Sequence, residues 1–248
     1  MTAETTRFHN RLQKLALAVE ESRLYWQAAR PDLAPAEENR QAFAERWFGG
    51  KSAAWVAVLL TNFRARYGAF PEALEVLRQW RPADPATRRL VCHWHLQLTD
   101  PYYRRFTGEY LTDLRDRGGA EIDFDTVLHW VIETKPKPWQ PSSCRQVASR
   151  LLAAASEAGL LSVAPDPRRV LTPHVPDEAL GYILHLLRQT AIAQPLLAND
   201  YLGSVGLSGV FLDQRLRVAP WVRVQRMGDV VSAEWQYQGL RDWAEAIS

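Results

Sequence analysis

Hydrophobic positions along this chain recur mostly at steps of three and four residues, the spacing of one face of an α-helix. Residues 8–30 carry Leu12, Leu15, Val19, Tyr25 and Trp26 and end at Pro31, which predicts a first helix. A second is expected over 35–48, anchored by Phe43, Trp47 and Phe48 and stopped by Gly49-Gly50. Ala53 to Tyr67 reads as a buried helix, and Phe70 to Trp80 as another entered through Pro71, at a first-turn position where proline is tolerated. Arg88 to Leu98 and Tyr102 to Arg115, parted by Thr99-Asp100-Pro101, complete an all-helical half, and Gly118-Gly119 makes a natural hinge. The pattern divides the chain into a helical domain over 1–118 and a second domain over 119–248.

The second domain opens on Ile122 to Glu133, where Phe124, Val127, Leu128, Val131 and Ile132 keep helical spacing; Lys135-Pro136-Lys137-Pro138 then breaks the helix. The next helix is expected to start at Ser142 or Ser143, just after Pro141, with Gln146 at capping-box distance from Ser143. Val147, Leu151, Ala154, Ala155 and Ala158 form its packed face, Arg145, Gln146, Ser149 and Ala153 its polar one, and Gly159 stops it. Two short apolar runs, Leu160–Val163 and Val170–Thr172, flank the turn Pro165-Asp166-Pro167-Arg168-Arg169 and predict a β-hairpin. Helix, turn, helix, hairpin is the order of a winged helix. Beyond it, Pro176 to Ala193 reads as a helix with Leu180, Ile183, Leu184 and Leu187 inward, and Leu196 to Phe211 has no clear period. Arg215–Val224 and Asp229–Tyr237 alternate around Met227-Gly228-Asp229, a second hairpin, and Leu240 to Ile247 closes the chain as a short helix. The fold class expected is mainly α: a helical N-terminal domain followed by a winged-helix-like C-terminal domain with small β-hairpins.

Charge sharpens the picture only locally. The net charge of +2 implies no partner, but from Lys135 to Thr172 the cations Lys135, Lys137, Arg145, Arg150, Arg168 and Arg169 face only Glu157 and Asp166. A basic footprint on a helix-turn-helix suits phosphate binding; the alternative is a helical subdomain with a solvated basic face. Arg168 and Arg169 sit at the end of a turn that two prolines restrict, which places both at the tip of the expected wing. In the first half, Arg64 and Arg66, Arg78 and Arg81, Arg88 and Arg89, and Arg104 and Arg105 form either a second basic surface or scattered solvated charges.

Composition, 47% hydrophobic and 23% charged, is that of an ordinary globular protein. The start, MTAETTRFHNRLQK, has no apolar core, and the longest apolar run, Ala53 to Leu60, falls far short of the ~20 residues a bilayer span needs, so a cytoplasmic protein without a membrane partner is expected. Cys92 and Cys144 have no framework spacing. Of the ten tryptophans, most are expected in helix interfaces, whereas an exposed Trp139 would be free to stack on a ligand.

Catalytic chemistry finds little support. Asp123 and Asp125 ahead of Glu133-Thr134-Lys135 resemble the carboxylate and Glu-x-Lys of metal-dependent nucleases, but a helix turns residues 133 and 135 about 200° apart, and a helix cap is the favoured role for the acids. Cys92, His93 and His95 lack a second cluster at ligand spacing, and the glycines Gly203, Gly206 and Gly209 lack the Lys-Ser/Thr of a phosphate loop. No catalytic residues, metal or cofactor are expected.

Glu21-Ser22-Arg23, Trp47-Phe48-Gly49, the Leu60–Tyr67 segment, Asp100-Pro101-Tyr102-Tyr103-Arg104-Arg105-Phe106, and above all Trp139-Gln140-Pro141-Ser142-Ser143 leading to Glu157-Ala158-Gly159-Leu160-Leu161 resemble the BrxA family of bacterial phage-exclusion (BREX) systems. The resemblance covers most of residues 10–175. It implies a small, mainly helical, non-enzymatic protein that binds double-stranded DNA and works beside other BREX proteins: a methyltransferase, a phosphatase-like protein and an ATPase. The residues expected to meet DNA are Lys135, Lys137, Ser142, Ser143, Arg145, Gln146, Ser149, Arg150, Arg168 and Arg169. A protein-interaction scaffold and, at lower standing, a metal-dependent nuclease are the competing readings.

Overall fold

Proline and glycine set most of the helix ends. The computed structural model describes residues 2–136, 138–227 and 230–247. In chain order the elements are β1 (Thr2–Ala3), a 3-10 turn (Arg11–Gln13), α1 (Val19–Ala28), α2 (Pro35–Ala44), α3 (Ala53–Arg66), α4 (Pro71–Trp80), α5 (Pro85–Thr99) and α6 (Pro101–Arg105). A π-helical turn (Phe106–Tyr110) joins α6 to α7 (Leu111–Asp116), followed by β2 (Glu121–Ile122), α8 (Phe124–Thr134), α9 (Pro141–Glu157) and β3 (Arg168–Arg169). The remainder is α10 (Asp177–Arg188), β4 (Thr190–Ala191), α11 (Asp200–Gly203), α12 (Gly209–Val218), β5 (Val222–Met227), β6 (Val230–Trp235) and α13 (Leu240–Ile247). Among the described residues the strands pair only two by two: β1 parallel to β4, and β2 with β3 and β5 with β6 antiparallel. The protein is thus mainly helical with a few short strands.

The α5 helix lies at the centre, with Leu90 to Asp100 buried on every face and α1, α3, α6, α9 and α10 packed around it. Burial makes an unpartnered polar side chain costly, and each of the following has at least one partner, although His95 Nδ1 and Gln97 Oε1 make no hydrogen bond. His93 Nδ1 lies 2.9 Å from the Tyr103 hydroxyl and its Nε2 2.9 Å from Ser204 Oγ, while His95 Nε2 meets the Tyr182 hydroxyl at 2.6 Å. Gln97 Nε2 donates to Thr107 Oγ1 at 2.9 Å, and the Asp100 carboxylate accepts from the amides of Tyr102 and Tyr103, capping α6. One buried apolar cluster runs from Leu12 to Ala244 and continues across residue 118.

Several elements depart from the expectations. No helix spans 8–30: Leu15, Ala16 and Leu17 are all buried in succession, which no single helix stripe allows, and the buried Arg66 guanidinium takes the Leu17 and Ala16 carbonyls at 2.6 and 2.8 Å. Residues 14–18 are therefore a non-helical strap, and α1 begins only after Ala18, whose φ of 53° is left-handed. The stretch 102–115 is interrupted by the π turn where Gly108 passes α11; a Cβ there would lie 2.4 Å from Asp200 Cβ. Arg215 to Val218 lie on α12 rather than in the second hairpin, which comprises 222–227 and 230–235; its expected turn residues Gly228 and Asp229 fall outside the described residues. The closing helix spans Leu240–Ile247 as the pattern predicts.

Burial holds His93 and His95 far below the usual imidazole range, at about 3, and His185 at about 4, so the fold carries all three neutral. The unfolded chain protonates them near pH ~6.5, so their contribution to stability is complete above that value and is lost as pH falls towards about 4 and then 3. The expected outcome is a melting temperature that drops between about pH 7 and about pH 5 while the His93 and His95 ring resonances do not titrate over that interval. Rings that titrate in the folded protein near their ordinary value would refute it.

Candidate nucleic-acid interface

The unit from β2 to residue 171 is built on short-range caps. Asp123 Oδ1 accepts from the Thr126 amide at 2.8 Å at the start of α8, and that amide hydrogen bond holds its carboxyl below the usual carboxylate range. Asp166, in the later turn, accepts from the Phe124 amide at 2.9 Å, so the turn folds back on the first residue of α8. At the other end Lys135 curls back, its Nζ donating to the Ile132 carbonyl at 2.9 Å; Lys137 lies outside the described residues. Of the acids weighed for a nuclease site, Glu133 pairs with His129 at 3.0 Å along the helix and Asp123 is held in its cap, so these two are engaged separately.

The α9 helix starts at Pro141, with Gln140 as the preceding cap residue and no side-chain cap. The expected Ser143–Gln146 capping box is absent because proline in the first turn, preset for helical φ, moves the start upstream and leaves Ser143 inside the helix. Its packed face is Cys144, Val147, Ala148, Leu151, Leu152, Ala154 and Ala155. Ser142, Arg145, Gln146 and Ser149 are exposed, whereas Ser143 and Arg150 are half-buried. At 100° per residue, Ser142, Ser149 and Ala153 form a smooth central strip, Arg145 and Ser156 lie on one flank, and Gln146, Arg150 and Glu157 on the other.

Each flank is occupied by a different part of the chain. On the Ser156 side, Leu161 bridges Val170, Ser162 N donates to the Arg169 carbonyl at 2.9 Å, and β3 pairs with β2, so the expected hairpin exists as a single bridge backed by a third short strand. The two arginines of that strand separate. Arg168 is only 16% exposed, donating through Nε to Asp166 Oδ1 at 2.8 Å and through Nη1 to Ser156 Oγ at 2.9 Å. Arg169 points outward, since successive strand residues face opposite ways. The tip therefore presents one arginine, not the expected two. Arg145 rests over the Phe124 ring at 5.2 Å from its centroid.

On the opposite flank the 3-10 turn lies against α9. Gln146 Nε2 and Arg150 Nε both donate to the Gln13 carbonyl, at 3.1 and 3.3 Å, and Glu157 Oε2 accepts from the Ala18 amide at 2.7 Å. Arg150 is therefore partly an anchor for the N-terminal strap, a role that its place on the polar side of a helix does not show. Partial burial raises the Glu157 carboxyl above its ordinary range. Trp139 is half-buried, edge-on to Tyr102 at 5.4 Å, and so packs in the interior rather than offering a free stacking surface.

Of the first-half arginines, Arg66 is buried, Arg64 pairs with Glu38 at 2.6 Å, Arg78 Nη2 donates to the Ala29 carbonyl at 2.6 Å, and Arg104 reaches the Thr5 and Gln97 carbonyls at 3.0 and 2.7 Å. These four tie segments together, whereas Arg81 and Arg89 are exposed. Among the described residues no group of three His, Cys, Asp or Glu side chains is placed to hold a metal ion, and no helix is long and apolar enough to cross a membrane.

No family model matches the chain, and no curated protein does. Among solved structures, the crystal structure of an uncharacterized protein from Magnetospirillum magneticum is similar, with a TM-score of 0.61 covering 80% of this chain and 98% of that one; at 12% identity the likeness is one of fold.

The separate roles of the paired arginines lead to a stability contrast. Arg168→Ala removes two hydrogen bonds of a charged, largely buried group and is expected to cost about 1–2 kcal/mol; Arg169→Ala, fully outward, is expected to stay within about 0.5 kcal/mol of the parent. Chemical denaturation of both variants checks this, and equal stabilities would contradict the assigned geometry.

Proposed function

We propose that this chain is a non-enzymatic, DNA-binding accessory protein of a BREX phage-exclusion system, as its resemblance to the BrxA family implies, and that α8, α9 and the strands around them act as a winged helix on duplex DNA. The observation that carries the reading is the surface of α9: residues 141–156 contain Arg145 and Arg150 and no carboxylate, and their outward strip is made of Ser142, Ser149 and Ala153. Small side chains let a helix approach a groove closely, and the cations on its flanks lie where the bordering phosphates run. β2 ahead of α8, pairing with the strand that follows the turn, is the arrangement that holds a wing beside the second helix.

In this reading α9 enters the major groove, Arg145 reaches the groove edge, and Arg169 and Lys135 meet flanking phosphates. Long, outward cations favour phosphates over base edges, so affinity carries little sequence preference. A second reading, docking to another protein of the same system, is favoured by Val210, Phe211 and Val218, which stand 68%, 69% and 75% exposed within one sector of α12. The two readings are compatible, since α12 is not part of the α8–α9 unit.

The test is fluorescence anisotropy with a labelled mixed-sequence duplex across a salt series. Affinity is expected to fall steeply with salt, and Arg145→Ala and Arg169→Ala are each expected to flatten the slope of log affinity against log salt by about one unit. Binding that does not respond to salt, or no binding at low salt, overturns the proposal.

A further inference from the structure

The strap between His9 and Ala18 is fixed at more points than a connecting segment requires. His9 Nε2 lies 2.7 Å from the Thr99 carbonyl, Arg66 takes the carbonyls of Ala16 and Leu17, Glu157 takes the Ala18 amide, and the Gln13 carbonyl accepts from both Gln146 and Arg150 of α9. Leu12 and Leu15, three residues apart, are both buried. In the tight repeat of a 3-10 turn, residues three apart lie one above the other, so Arg11 and Lys14 share a second side, and both are exposed.

Neither Arg7, Arg11 nor Lys14 has an ion-pair partner among the described residues, and residues 5–19 contain no Asp or Glu. The neighbouring stretch of α9, residues 141–156, is equally free of acids. Two acid-free segments meet at the Gln13 carbonyl on the flank of α9 opposite Arg169, where the neighbouring carboxylate, Glu157, is engaged by the Ala18 amide. The interior supplies a rigid mount for the strap, so little ordering entropy is lost when a polyanion binds.

We infer that the N-terminal strap is a second phosphate-binding arm: Arg11 and Lys14, with Arg7 beyond them, contact the backbone of duplex DNA on the side of α9 away from the wing. The inference rests on the DNA-binding reading and extends it, because it places α9 between two arms, each positioned for one of the two phosphate ridges that border a major groove. Gln146 and Arg150 are positioning residues in this scheme. They hold Gln13, and through it the arm, at a set distance from the groove-facing strip.

The experiment measures salt slopes of the full chain on the same mixed-sequence duplex for the parent, Arg11→Ala/Lys14→Ala, Arg145→Ala, and Arg40→Ala as an exposed control on α2. The double variant is expected to flatten the slope by about two units, to keep the parent's melting temperature, and to leave Arg40→Ala indistinguishable from the parent. A slope in Arg11→Ala/Lys14→Ala equal to the parent's, with Arg145→Ala still flattened, overturns the arm and leaves the DNA-binding reading standing. A parent without salt-sensitive affinity overturns both. A flattened slope in Arg40→Ala equal to that of the double variant overturns the arm as well, since charge loss anywhere would then suffice.

Discussion

The structure depends on one constraint: the chain from Leu90 to Asp100, most of α5 and its C-terminal cap, is buried while carrying His93, His95, Gln97, Thr99 and Asp100. A polar side chain sealed from water costs several hydrogen bonds' worth of solvation unless the protein supplies partners, so the position of every neighbour is narrowed to where a partner can be offered. Tyr103 on α6, Tyr182 on α10, Thr107 in the π turn and Ser204 after α11 are those partners. The π turn itself follows from this requirement, since it lets the chain bring Thr107 to Gln97 while Gly108 slides past Asp200 with no side chain in the way. Elements far apart in the sequence are thus set in place by hydrogen bonds to a single central helix.

A second layer is organised around backbone carbonyls. Arg66, Arg78, Arg104, Arg115, Arg150 and Arg215 each donate to a main-chain oxygen in a segment remote from their own. A guanidinium has a planar fork of donors, so one side chain satisfies carbonyls that irregular chain cannot pair within itself. Part of the chain's positive charge is thus spent on holding strap and loop segments to helices.

The helices were legible from spacing where a single stripe is buried, as in Pro71–Trp80, Phe124–Thr134 and Leu240–Ile247. The strap was not, because Leu12, Leu15 and Val19 keep the spacing of one helix face, and nothing local shows that Arg66 claims the Leu17 and Ala16 carbonyls from forty-nine and fifty residues away. Strands of two residues, such as β2 and β3, have no period to detect. For the candidate site, the exposure of Arg145, Gln146 and Ser149 followed from helical phase alone, whereas the inward turn of Arg168 depended on Asp166 and Ser156, and the anchoring role of Arg150 on Gln13. Arg11 and Lys14, placed on a continuous helix, read as ordinary solvated charges; what sets their segment apart in the sequence is the absence of any acid between residues 5 and 19.

The N-terminal segment finds its partners late in the chain. β1 pairs with β4, Glu4 N donates to the Ala191 carbonyl, the Glu4 carboxylate receives the Ala193 amide and the Tyr201 hydroxyl, and Gln13 waits for residues 146 and 150. Contacts of such long sequence separation close large loops at an entropic cost. During synthesis from the N-terminus, the first residues made are among the last to settle, and the basic flank that they complete comes into being only once nearly the whole polypeptide has emerged. A nascent or prematurely terminated chain thus lacks that flank, which is restricted to finished molecules by the order in which its parts can meet.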